Sequence, residues 1–208
     1  VIGFPNDNLY KINTKFLGWE RVSDVGQFEV SLNQLPVFKL NNKILRVLEF
    51  NDNFNRLIDF NNDKNNDIKE CISIDCLNWR YFEHPLNNYV IFSSISDSNN
   101  LNNGYIVLKI YHSNTGVKGH IVELLTYNDS AIMDSLLGVS IEYFKWANCS
   151  SISVWVGKNN YKYNYFKNIG FNENSIKSHL QVLPLGEAYN EVLDIDSWDL
   201  AMKMSDAY

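Results

Sequence analysis

Apolar and polar positions alternate in two periods along this chain, and the switches between them mark out its elements. "VIGF" reads as a short strand. "PNDNLYKINTKFLG" predicts a helix with Pro5 near its start and Gly18 closing it. "WERVSDVGQFEVSL" is strand material, and 33–43, with a proline and an Asn pair, reads as a connection. A strand is predicted at 44–50 ("ILRVLEF"). A helix over 52–64 would put Phe54, Leu57 and Ile58 on one side, and a second helix over 69–82 would end before Pro85. Three β-rich runs follow at 89–95, 104–113 and 120–127, separated by polar turns in the manner of an antiparallel meander. The clearest helix spans about 129–147, capped by Asp129 or Ser130. Ile132, Leu136, Val139, Tyr143 and Trp146 form its apolar stripe, widened by Met133, Leu137 and Phe144. "SISVWVG" (151–157) is uncharged and β-branched, as a buried strand should be. "NNYKYNYFKNIGF" (159–171) predicts a helix closed by glycine, and "SIKSHLQVLPL" a further strand.

The start of the chain echoes its later part. Aligned on Gly18 and Gly170, the two segments share Asn8/Asn160, Lys15/Lys167, Leu17/Ile169 and Trp19/Phe171. Residues 1–32 thus repeat the strand–helix–strand order that closes the longer succession after residue 44.

Composition narrows the class. The 208 residues suit one good-sized domain, or one domain plus part of another. Hydrophobic residues make up 45%, which allows a substantial core. The net charge of −6 and the lack of a basic patch argue against nucleic acid as a partner. Cys71, Cys76 and Cys149 are odd in number and form no CxxC, so neither a disulfide framework nor a zinc site is indicated and a reducing cytoplasm fits best. The four histidines lack metal-like spacing with cysteine, so no metal is expected. No apolar run approaches the roughly 18 residues of a spanning helix, and no signal peptide is visible, so no membrane partner is expected. No GxSxG, Walker loop or strand-linked GxGxxG occurs.

The order after residue 44 is strand, two helices, three strands, long helix, strand, helix, strand. With "CLNWRYFEHPLNNY" (76–89), "GYIVLKIY" leading to "HIVELL", and "YFKNIGF" (165–171), it resembles the GNAT superfamily of N-acyltransferases. The "LNWRYFEHP" phrase resembles a bacterial subset of that superfamily found near surface-polysaccharide genes. The resemblance implies an α/β (α+β) domain over 44–208, with a mixed, mostly antiparallel central sheet flanked by helices. Residues 1–40 resemble the C-terminal remnant of a preceding GNAT-like unit, which implies a pseudo-dimer between the two.

The implied activity is transfer of an acyl group, acetyl above all, from acyl-CoA to a small-molecule primary amine such as an amino sugar of a polysaccharide precursor. By this resemblance "VELLTY" (122–127) is the strand that grips the pantetheine arm through its backbone, with Leu124, Leu125 and Thr126 at the cofactor and "ISVWV" (152–156) opposite. Glu123, the only carboxylate on that strand, is the candidate base; alternatively it points to solvent. His120 lies three residues away, hence on the other face of a regular strand. Asn159, eleven residues before Gly170, matches the pattern's asparagine. The pattern's tyrosine, four residues before the glycine, is replaced by Phe166, which leaves Tyr163 and Tyr165, with Tyr161, as candidate acids or as packing residues. The glycine-rich phosphate loop is replaced by "LLTYNDSAIMD", which places Asp129 and Asp134 where a diphosphate would sit. Lys158 and Lys162 are then the nearest cations by order. Trp79 and Arg80 belong to a segment that lies beside the acceptor cleft in such folds; Arg80 either binds an acidic acceptor group or forms an internal salt bridge. The departures keep a second reading open, a binding or structural module that has lost CoA chemistry. A third, a Fem-type aminoacyl transferase, sits poorly with the acidic net charge.

Overall fold

The computed structural model describes residues 1–63, 68–85, 88–96, 101–114, 116–127, 129–158, 160–185 and 189–205; at 175–177 and 189–190 it describes the backbone alone. In chain order the elements are β1 (Ile2–Gly3), α1 (Asp7–Phe16), β2 (Glu20–Ser31), β3 (Lys43–Val47), α2 (Asn55–Asn62), α3 (Ile74–Tyr81), β4 (Val90–Ile95), β5 (Asn102–Ser113), β6 (Gly116–Thr126), α4 (Ser130–Trp146), β7 (Ser151–Trp155), α5 (Tyr161–Asn168), β8 (Asn172–Val182) and α6 (Tyr189–Leu193). Single 3-10 turns lie at Leu32–Gln34, Asp52–Phe54, Ile195–Ser197 and Met202–Met204.

One eight-stranded sheet runs in the order β1-β8-β2-β7-β6-β5-β4-β3. Every pairing is antiparallel except β6 with β7. This is the mixed, mostly antiparallel α/β arrangement expected. Its two faces bury separate cores. On one face α2, α3 and the closing segment cover Val107, Val122, Leu125, Trp155 and Leu180, and contribute Leu57, Leu77, Trp198, Leu200 and Met202. On the other, α4 and α5 cover Phe28, Ile106, Ile121, Leu124 and Val154, with Leu136, Phe144 and Phe166 at the contact. The α4 stripe holds for Ile132, Met133, Leu136, Leu137 and Phe144, but Trp146 does not join it. It lies in the last turn, is 78% exposed, and stacks on Tyr143 instead. The helix expected over 69–82 begins only at Ile74, because the Ser73 hydroxyl caps it by accepting from the Cys76 amide.

The first 31 residues do not form a separate body. β2 lies between β7 and β8, in the half of the sheet beyond the parallel pair. The two echoing segments, β1-α1-β2 and β7-α5-β8, are placed reciprocally: β2 and β8 pair with each other, β1 pairs with β8, and β7 pairs with β2. The two helices start alike, with the Asn6 and Asn160 side chains accepting from the Leu9 and Lys162 amides. They end alike too, two residues before Gly18 (φ 71°) and Gly170 (φ 106°). A clamp ties the halves: His179 on β8 sits 2.8 Å from Asp24 on β2 and 2.7 Å from Asp7 on α1.

Because Gly170 occupies a backbone region that L-residues rarely enter, Gly170→Ala is expected to lower stability by about 1–3 kcal/mol, read from the urea midpoint at unchanged slope.

Candidate functional site

The two strands of the parallel pair do not stay together. β6 and β7 are in register from Lys118 with Ser151 to Ile121 with Val154. Beyond that point β6 continues to Thr126, still paired with β5, while Trp155 on β7 pairs with Gln27 on β2. Among the described residues, the edge of β6 from Val122 to Thr126 is therefore without a strand partner on the β7 side. A β-bulge stands at the parting: Val107 faces Glu123 and Leu108 faces Ile121, so Val122 is the extra residue. A bulge increases local twist and bends its strand, and here β6 and β7 separate at that point.

The bulge also sets the faces. Ile121 and Leu124 enter the core under α4, whereas Val122 lies in the core under α2 and α3. Glu123 turns to that same second face, where Tyr81 of α3 and Lys203 of the closing segment meet it. His120 therefore shares the face of Glu123, contrary to the even–odd count along a regular strand. It is buried against the Ser153 hydroxyl at 2.6 Å. Burial, with Lys109 and Lys118 nearby, pulls its pKa down to about 4, so it is neutral at ordinary pH.

Glu123 is 5% exposed, which rejects the solvent-facing alternative. Lys203 Nζ donates to Oε1 at 2.6 Å, and the Tyr81 hydroxyl donates to Oε2 at 2.7 Å. Burial pushes the carboxyl pKa up, but the Lys203 charge and these hydrogen bonds more than reverse it, leaving it lowered and the group ionised. The Tyr81 and Tyr105 phenols move the other way, raised first by burial and then by the Glu123 charge. The Tyr105 hydroxyl and Glu70 Oε2 are buried without a hydrogen bond of normal geometry. Glu70 Oε2 lies 3.9 Å from Lys203 Nζ. A cavity of about 30 Å³ is lined by Glu70, Glu123, Leu124, Lys162 and Lys203, among others. That is room for about one water.

The closing segment is pinned across this face. Ile68 and Trp198 form a parallel bridge, and the Asp199 amide donates to the Ile68 carbonyl at 3.0 Å. Asn160, the cap of α5, bonds Asp199. Gly157 lets the segment pass, since a Cβ there would stand 3.0 Å from the Trp198 carbonyl oxygen. Arg80 donates to the Lys203 carbonyl and, at 2.9 Å, to Glu70 Oε1. In this structure Arg80 therefore makes the internal ion pair. Trp79, its neighbour on α3, is 61% exposed.

The remaining residues singled out from sequence fall in different places. Leu124 offers its carbonyl to Lys162 Nζ at 3.0 Å, and Thr126 meets the Tyr161 hydroxyl at 3.1 Å, so the middle and the far end of the parted β6 edge touch the start of α5. The Leu125 side chain enters the core on the Glu123 face. Tyr163 packs edge-on against Phe28 and lines a second cavity of about 350 Å³ with exposed Lys158, Arg21, Asp24, Glu173 and Asp196. Tyr165 is turned away from Glu123: its hydroxyl donates to Asp134 on α4, and burial, then Asp134, holds its pKa far above the ordinary value. Phe166 is buried. Asn159 lies outside the described residues. The Asp129 carboxylate accepts from the Ala131 and Ile132 amides, so the N–H groups that would hold a diphosphate are taken by the protein's own cap. Two members of the cluster, Tyr81 and Lys203, were not found from sequence. The signal available was a lysine between two methionines, "AMKM", in a run too apolar for a solvated tail.

No family model and no curated protein matches the sequence. Solved structures do resemble the fold. A GCN5-related N-acetyltransferase from Anabaena variabilis aligns with TM-score 0.60 at 8% identity, over 86% of this chain and 44% of its own. A tandem GNAT protein from the clavulanic acid biosynthesis pathway aligns with TM-score 0.56 at 10% identity, over 90% and 63%. Saccharomyces cerevisiae N-myristoyltransferase with bound myristoyl-CoA aligns with TM-score 0.56 at 7% identity, over 78% and 50%. The chain thus spans less than two thirds of the length of each.

Removing Lys203 would leave the Glu123 charge buried and unpaired, so Lys203→Ala is expected to cost about 3–5 kcal/mol in denaturant unfolding. The pH dependence follows from the lowered carboxyl. The stability contributed by ionised Glu123 is complete above its ordinary pKa of 4.5 and is lost as pH falls below it through the folded value. The stability gap between the wild type and Glu123→Gln should therefore narrow on acidification below about pH 4.5, measured by urea titration. The arrangement of the sheet, its parted parallel pair and its flanking helices give this chain the fold of the GNAT superfamily.

Proposed function

We propose that the protein transfers an acyl group from an acyl-CoA thioester to a primary amine. The observation that carries this is the parting of β6 and β7 with an ionised, buried carboxylate at the bulge. The free edge of Val122–Thr126 offers backbone groups to an extended ligand arm, and Glu123 stands beside it to take a proton from an amine. When bound, the thioester would supply an activated acyl carbon and a thiol leaving group. Tyr81 holds Glu123 by hydrogen bonding to its carboxylate. Lys162 lies one helical turn before Phe166, and its ammonium reaches the parting at Leu124, where it would offset negative charge developing on the leaving sulfur. Glu173 and Asp196 in the lining of the larger cavity suit a cationic acceptor, Asp24 there being paired with Arg21 and His179, and exposed Lys158 offers a cation to a diphosphate. An amino-sugar acceptor is the narrower form of this proposal. The reciprocal pairing of β1-α1-β2 with β7-α5-β8 supports taking residues 1–40 as the closing part of a preceding GNAT-like unit, and thus a pseudo-dimeric arrangement.

Two observations favour a second reading, a GNAT-like module without acyl-CoA chemistry: Asp129 occupies the amides at the start of α4, and Phe166 is buried. Calorimetry with acetyl-CoA and with desulfo-CoA separates the two. Saturable binding of both is expected under the acyl-transfer reading, and no binding of either at about 1 mM would overturn it. In an amine-acetylation assay over a panel of amines that includes amino sugars, Glu123→Gln should lower kcat/KM by about 10²–10⁴-fold while leaving acetyl-CoA affinity unchanged.

A further inference from the structure

The closing segment brings a primary amine of its own to the candidate base. Lys203 Nζ lies 2.6 Å from Glu123 Oε1, at the bulge where β6 leaves β7. It is no loose surface lysine: the residue is 7% exposed, between Met202, fully buried, and half-buried Met204. Its carbonyl is held by Arg80, and Glu70 Oε2, which has no hydrogen bond, stands 3.9 Å from the ammonium. The small cavity beside it is lined by Leu124 and Lys162, so it opens along the same β6 edge that would receive a thioester. Lys203 Nζ thus already stands where an acceptor amine would meet Glu123 Oε1.

We infer that Lys203 is a built-in acceptor and that the protein acylates its own closing segment at this residue, using the acyl-CoA donor of the proposed activity, on which the inference rests. Glu123 takes one proton from the Lys203 ammonium. This exchanges two buried charges for two neutral groups, so the cost of breaking the ion pair is offset in part by relief of desolvation. The freed nitrogen lone pair forms an amide bond to the acyl carbon as the carbon–sulfur bond breaks. The nitrogen loses two protons overall: one ends on the departing thiol, and the other leaves through Glu123 to solvent. The cavity as it stands holds about one water, so the donor enters as Lys162 releases the Leu124 carbonyl and the arm takes its place.

The test incubates the whole chain with acetyl-CoA, follows intact mass, and maps the modified peptide, with acetyl-CoA binding measured in parallel by calorimetry. One acetyl group on Lys203 is expected, formed well ahead of any on exposed Lys15 or Lys39. Glu123→Gln should slow it about a hundredfold or more. Lys203→Arg, which keeps a cation for Glu123, should abolish the mark, with circular dichroism confirming its fold. Binding of acetyl-CoA with Lys203 unmodified, or modified no faster than Lys15 and Lys39, overturns this inference and leaves the acyl-transfer reading standing. Absence of acetyl-CoA binding overturns both.

Discussion

A carboxylate buried in the face of a sheet must find positive charge and hydrogen-bond donors, and much of this structure answers that requirement for Glu123. Tyr81 comes from α3, and Lys203 comes from the far end of the chain. The second contact dictates the course of the closing segment. To deliver Lys203, the chain after α6 passes close to Gly157 just beyond β7, bridges to Ile68 through Trp198, and buries Leu200 and Met202 on the way. The apolar contacts supply the adhesion, and the ion pair fixes which residue ends where, since a shift by one position would bury the ammonium away from its partner.

The same point on β6 explains why the sheet opens. One extra residue, Val122, puts two successive side chains on one face and swings the strand away from β7. The bulge thus does two jobs: it frees a backbone edge, and it turns Glu123 toward α2 and α3 next to that edge. Strand parting and the placement of Glu123 share a cause, so neither could be lost without disturbing the other.

Much of the architecture was legible in the chain, because strong apolar periodicity and well-placed turn residues act locally. The meander, the long helix and the Gly18/Gly170 echo follow from patterns a few residues long, whereas the place of "VELLTY" at the parting came only from the family resemblance. Glu123 could be singled out as the sole carboxylate on its strand. Its partners could not, since Lys203 is 80 residues away and meets it only through the path of the closing segment. The faces of β6 were miscounted for a related reason. A bulge breaks the even–odd rule, and nothing in "GHIVELLT" marks Val122 as the extra residue. Tyr165 was visible as a hydroxyl but not as the partner of Asp134, which depends on how α5 packs against α4. Arg80 shows the same limit: the sequence left an acceptor-binding role and an internal salt bridge both open, and Glu70 with the Lys203 carbonyl is what its guanidinium meets.

The position of β2 has a consequence for synthesis. This strand is made before either of its neighbours, yet β7 and β8 emerge only after more than a hundred further residues. While the ribosome works through the meander and the long helix, Phe28 and Val30 lack the two strands, β7 and β8, that flank them in the finished sheet. The nascent chain carries this apolar strand without its final neighbours until β8 is out of the exit tunnel. The interval is when the protein is most open to mispairing, and when a holding chaperone would have the clearest target.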